Sequence, residues 1–140
     1  MILPLGSLES HGGHLPFGTD AMTAHLVALD IAARLPKTAV LPPLNYGVSE
    51  HYKDFPFTVS VRFETEIAFL TDIFESVYRE GIRKVFIMNG HDGNIAPIEV
   101  AGRSATAAKG KPPSVWSCSP NCATCRRPPG WFRTCRNTWT

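Results

Sequence analysis

Residues 84–88, Lys84-Val85-Phe86-Ile87-Met88, run apolar after the lysine with no alternation of apolar and polar positions. A strand with one wet face alternates with a period of two. A strand without alternation is covered on both faces, as in a parallel sheet. Parallel strands need crossovers, and helices usually supply them. The rest of the chain has suitable segments. Ile2-Leu3-Pro4-Leu5 reads as a short buried strand, with Pro4 suited to a strand end or edge. A helix is expected from Thr19 or Asp20, either of which can cap it, with Met22, Leu26, Leu29 and Ala33 at helical apolar spacing and Pro36 as its stop. Ala39-Val40-Leu41 reads as a second short strand, closed by Pro42-Pro43. Residues 44–62 form a loop in which Thr58-Val59-Ser60-Val61 alternates like a piece of hairpin. Residues 64–80 give the clearest helix, with Ile67, Leu70, Ile73, Phe74, Val77 and Tyr78 on one stripe and Gly81 at its end. A last helix is expected over about 95–108. The order β-α-β-loop-α-β-α predicts a layered α/β fold with a mainly parallel sheet. Ligands of such sheets bind beyond the carboxyl ends of the strands.

Two polar loops leave those ends. The first, residues 9–20, holds Glu9, His11, His14 and Asp20 around the pair Gly12-Gly13. The second is Asn89-Gly90-His91-Asp92-Gly93-Asn94. Singly, Glu9 reads as a surface carboxylate, His11 as a loop histidine and Asp20 as a helix cap. Their concentration, with a second histidine loop after another strand, points to a metal site. Glu9 and His11 are two apart, so on an extended segment they point the same way. Asp20 at a helix start can turn back toward the same space, and His91 can add a nitrogen. Carboxylate oxygens and imidazole nitrogens suit zinc, manganese or iron. Four such ligands can hold two ions if one carboxylate bridges. A bridged pair lowers the pKa of a shared water and polarises a carbonyl, which suits hydrolysis of an amide or lactam. His14 is expected in a supporting hydrogen bond rather than on the metal. His51 either faces substrate or is a plain loop histidine. Asp92 either orients His91 or is a helix-start acid.

Composition bounds the alternatives. The chain has 140 residues, within the size of one domain. A net charge of +2 argues against a nucleic-acid or membrane partner. No apolar run approaches the roughly 18 residues of a membrane span. The start lacks the basic and apolar regions of a secretory signal, so a cytoplasmic protein is expected.

These residues carry a resemblance. The string from Pro4-Leu5-Gly6-Ser7-Leu8-Glu9-Ser10-His11-Gly12-Gly13-His14-Leu15-Pro16 to Thr19-Asp20 resembles the opening motif of the creatininase (creatinine amidohydrolase) family. Ser49-Glu50-His51 through Phe55-Pro56-Phe57-Thr58 is similar to that family's middle loop, and residues 89–94 to its second metal motif. The resemblance covers about residues 2–110. It implies a three-layer α/β/α metallohydrolase with a mainly parallel sheet, here incomplete at the C-terminus. It also implies a binuclear zinc or manganese centre and a homo-oligomer, commonly a hexamer. By the motif match, Glu9, His11, Asp20 and His91 take the ligand positions, with Asp20 as the bridge. Members act on cyclic or linear amides, on a formamide, or on a peptide precursor. A small-molecule amide substrate and hydrolysis of its C–N bond are therefore expected. Three departures matter. Gly93 stands where creatininase proper carries a Glu, which argues against creatinine as substrate. Phe57 stands where the middle loop usually has glycine. The C-terminal motif that brings a last carboxylate and a proton-shuttling histidine is missing, so no residue is assigned as general acid or base.

The chain changes character near Gly110. Residues 111–140 hold five Pro, all four Cys, all three Trp, five basic residues and no acid. They show neither a helical stripe nor strand alternation. The expected division is a partial creatininase-like domain over 1–110 and an irregular tail over 111–140. The tail reads first as the product of a shifted reading frame or misassigned gene end. Alternatives are a zinc knuckle of Cys118, Cys122, Cys125 and Cys135, and a disordered basic segment for an acidic partner. The function expected is a metal-dependent amidohydrolase, truncated and weakly active. The rivals are a non-catalytic metal-binding or interaction remnant, or a binding module built on the knuckle.

Overall fold

The computed structural model describes residues 1–107, 114–118 and 133–134. Strands β1 (Ile2–Leu5) and β2 (Lys84–Asn89) lie side by side and parallel, with Ile2 opposite Phe86 and Leu5 opposite Asn89. The crossover between them contains helices α1 (Thr19–Arg34) and α2 (Phe63–Arg79). Helix α3 (Ile95–Ala107) follows β2 after a short 3-10 turn, Asp92–Asn94. Two further parallel strands, β3 (Ser114–Cys118) and β4 (Arg133–Thr134), complete a sheet of order β1-β2-β3-β4.

The sheet is covered on both faces, as the unbroken apolar run of β2 requires. Leu3, Leu5, Val85 and Ile87 pack with Leu70 and Phe74 of α2 and with Ile98, Ala101 and Ala105 of α3. Ile2 and Met88 pack with Ala24 and Ala28 of α1. Three layers result, with α1 on one face and α2 and α3 on the other. Among the described residues no helix is long and apolar enough to cross a membrane.

Four expectations are corrected. The buried stripe of α1 is Asp20, Ala21, Ala24 and Ala28. Met22, Leu26 and Leu29 face outward, 55%, 65% and 45% exposed. The larger residues suggest a core face, but the alanine stripe is the one that lets the helix backbone come close to the sheet. Neither Thr19 nor Asp20 caps that helix; Gly18 holds the position, and no side chain bonds there. The segment over 39–41 is not a full strand. Val40 bridges Ile2 and Leu44 bridges Leu5, while Pro42 and Pro43 interrupt the edge by removing two donors. Finally, the tail is not wholly irregular, because Ser114–Cys118 pairs along β2 with Val115 opposite Val85. Cys118 ends that strand. Cys122, Cys125 and Cys135, and with them the knuckle reading, lie outside the described residues.

Candidate functional site

The carboxyl ends of β1 and β2 are neighbours, so the loops that leave them start together. Gly90 N–H donates to the Leu5 carbonyl at 2.8 Å. A side chain at Gly90 would collide with the Asp20 carbonyl, so the second loop rests directly on the first turn of α1. That contact puts Asp20 between the two loops. Glu9, Asp20 and His91 are buried, at 6%, 8% and 4% exposure, and His11 is half-buried.

The four side chains meet in a paired arrangement. His11 Nε2 lies 3.0 Å from Asp20 Oδ1 and 4.0 Å from Glu9 Oε1. His91 Nδ1 lies 3.1 Å from Asp20 Oδ2 and 3.2 Å from Glu9 Oε2. Each carboxylate thus turns one oxygen to each imidazole. The outer ring nitrogens are occupied elsewhere. His11 Nδ1 sits 3.2 Å from the Glu9 carbonyl, and His91 Nε2 sits 3.0 Å from the Val48 carbonyl. A carbonyl only accepts, so these outer nitrogens donate, which leaves the inner nitrogens facing the carboxylates either as N–H donors or as ligands to a cation that replaces the proton. The same pairing of an outer N–H with a carbonyl is usual for metal-binding histidines. Asp20 Oδ2, although 3.1 Å from His91, is buried and lacks the alignment of a hydrogen bond. This oxygen and nitrogen set fits a divalent cation of the zinc or manganese type. Donor atoms of Glu9, His11 and Asp20 lie within 4.8 Å of one another, as do those of Glu9, His51 and His91.

Burial alone would lower the pKa of His91, but Asp20, the Val48 carbonyl and Glu9 outweigh it and hold it above the usual imidazole value. His51 is exposed, and its ring stacks on that of His91 with centroids 5.6 Å apart. His14 is exposed and forms no hydrogen bond to the cluster among the described residues. Asp92 is exposed and starts the 3-10 turn. No hydrogen bond joins it to His91 among the described residues, and His91 is held by other groups.

Those groups escaped the sequence reading. Asn89 Oδ1 accepts from His91 N–H at 3.2 Å, and its amide donates to the His91 carbonyl at 2.7 Å. Asn94 accepts from Val48 N–H at 3.0 Å and donates to the Gly6 carbonyl at 2.9 Å. Ser49, fully buried, donates to Glu9 Oε2 at 2.8 Å and touches Ser7 Oγ. The only sequence cues were the asparagines at both ends of the second loop and the serine of the middle loop. Gly93 has a clear reason for lacking a side chain. A Cβ there would collide with the Val48 carbonyl and crowd His91 Nε2.

A parallel sheet in three layers, with buried carboxylates and imidazoles at its carboxyl edge, defines a layered α/β protein with a candidate metal site at that edge. The creatininase family model, described as creatinine amidohydrolase, matches residues 1–134. The chain belongs to the creatininase family. It is 34% identical over 115 residues to the mycofactocin precursor peptide peptidase of Mycobacterium ulcerans, covering 76% of this chain and 46% of that protein. It is 33% identical over 99 residues to the creatinine amidohydrolase of Pseudomonas putida, covering 67% of this chain and 38% of that protein. A solved structure described as creatininase Mn superposes with a TM-score of 0.75 at 31% identity, covering 84% of this chain and 49% of that one. The chain therefore spans about half the length of the relatives it matches, or less.

Proposed function

We propose that this chain carries the metal-binding part of a creatininase-type amidohydrolase, which cleaves a C–N amide bond in a small molecule. In this reading residues 1–110 make up the metallohydrolase portion. Glu9, His11, Asp20 and His91 would hold two divalent cations, manganese or zinc. One observation carries the reading. Both imidazoles commit their outer nitrogen to a backbone carbonyl and turn the inner one onto the same two carboxylates. The manganese form of a related creatininase supports the choice of metal. When bound, the ions would lower the pKa of a water and polarise the amide carbonyl.

The chain's own groups supply the rest. Ser49 fixes the Glu9 carboxylate with its hydroxyl, and the Val48 carbonyl holds the His91 ring through Nε2. Asn89 and Asn94 hold the loop that presents His91. His51, exposed beside His91, stands where an incoming substrate can meet it. A cytoplasmic homo-oligomer is the proposed working form. Elemental analysis of the purified protein tests the centre. Two manganese or zinc ions per chain are expected, with loss of metal in His11→Ala and Asp20→Asn. Unchanged metal content in both variants removes the assignment. Amide-hydrolysis assays of the metal-loaded chain then test the chemistry.

A further inference from the structure

On the α2 side of the sheet, a cavity of about 480 Å³ opens between α2 and the loop that crosses the edge of β1. Its walls include Leu44, Tyr46, Val59, Val61 and Phe69, and one charged residue, Glu66. None of Glu9, His11, Asp20 and His91 lines it. The volume falls in the range of small-molecule pockets.

Glu66 is the anomaly. It is 3% exposed, and neither carboxyl oxygen has a hydrogen-bond partner. It lies in the first turn of α2, yet no side chain caps that helix. The nearby Val48 N–H is engaged by Asn94. Burying a carboxyl without a partner is costly, and such groups in native proteins usually have a bound water, ion or ligand. Burial pushes its pKa up to about 7, with His91 and Val48 pulling the other way. The protein thus keeps a poorly solvated acid in the wall of an apolar slot. The complement of that slot is an apolar body with one cationic, donating head.

We propose that this cavity binds a small organic cation, a primary ammonium on an aromatic or branched aliphatic body, with Glu66 accepting its N–H donors. Tyr46 and Phe69, 56% and 53% exposed, stand at the rim to cover the body.

Benzylamine is the probe and benzyl alcohol its neutral counterpart, titrated into the full chain by amide NMR. Saturable shifts are expected at Leu44, Val59 and Val61, with benzyl alcohol at least tenfold weaker. Glu66→Gln should weaken benzylamine binding at least tenfold while its thermal melt stays cooperative. Val59→Trp, which fills the slot from the rim and leaves Glu66 in place, should abolish binding. Equal affinity in either variant, equal affinity for the alcohol, or shifts centred on Glu9 and His91 would overturn the proposal.

Discussion

Phe57 bears a conformation that its side chain disfavours. Its φ is 61°, in the left-handed region, and its ring is 74% exposed. That backbone costs a non-glycine residue roughly 1–2 kcal/mol. The ring contact with Phe17, 5.3 Å between centroids, offsets only part of it because both rings face water. Phe57→Gly is therefore expected to raise stability by about 0.5–1 kcal/mol, less than the full strain because glycine also frees the unfolded chain. A denaturant melt reads this, and a lowered midpoint would contradict it. The usual glycine of the middle loop thus has a backbone reason at this position. Glu66 gives a second residue-scale prediction. Its folded-state pKa, about 7, lies above the ordinary 4.5, so the native state holds the extra proton between those values. Stability from this group is fully present below about pH 4.5 and falls as pH rises toward 7, by on the order of 3 kcal/mol. Glu66→Gln should flatten that fall in melts across the same range. An unaltered pH profile would show that Glu66 titrates normally.

At the scale of elements, α1 shows what its sequence could and could not convey. Its letters offer two stripes, one of large residues and one of alanines, and only packing against Ile2 and Met88 selects the alanines. Ala24→Leu should therefore overpack that interface and cost about 1–3 kcal/mol, measurable as a drop in Tm. A variant as stable as the parent would mean that α1 sits loosely on the sheet. The strand β2 was legible because burial on both faces writes itself into consecutive residues. The edge over 39–44 was not, since two prolines break its ladder into bridges. The strand β3 was hidden by its serine and tryptophan letters among prolines and cysteines. Glu9, His11, Asp20 and His91 could be picked out because acid and imidazole after a strand are uncommon together. Ser49, Asn89 and Asn94 could not, because Ser49 acts through the Glu9 carboxylate and the asparagines through backbone groups, and loops everywhere contain serine and asparagine.

Over the whole molecule, Glu9, His11, Asp20 and His91 gather at the carboxyl edge of a four-stranded sheet, while the outer face of α1 presents Met22, Leu26 and Leu29 to solvent. Apolar faces of that kind mark association sites. The proposed homo-oligomer is expected to use this face, so Leu26→Lys should lower the mass seen by light scattering on eluting protein. A mass equal to that of the parent would place the subunit contact elsewhere. The close seat of Gly90 on the Asp20 carbonyl gives this a mechanical consequence. The turn that carries the central carboxylate belongs to the same rigid rod whose outer side would meet a neighbour. A push on that rod from outside would change the spacing of the cation donors, so ion affinity should report on assembly.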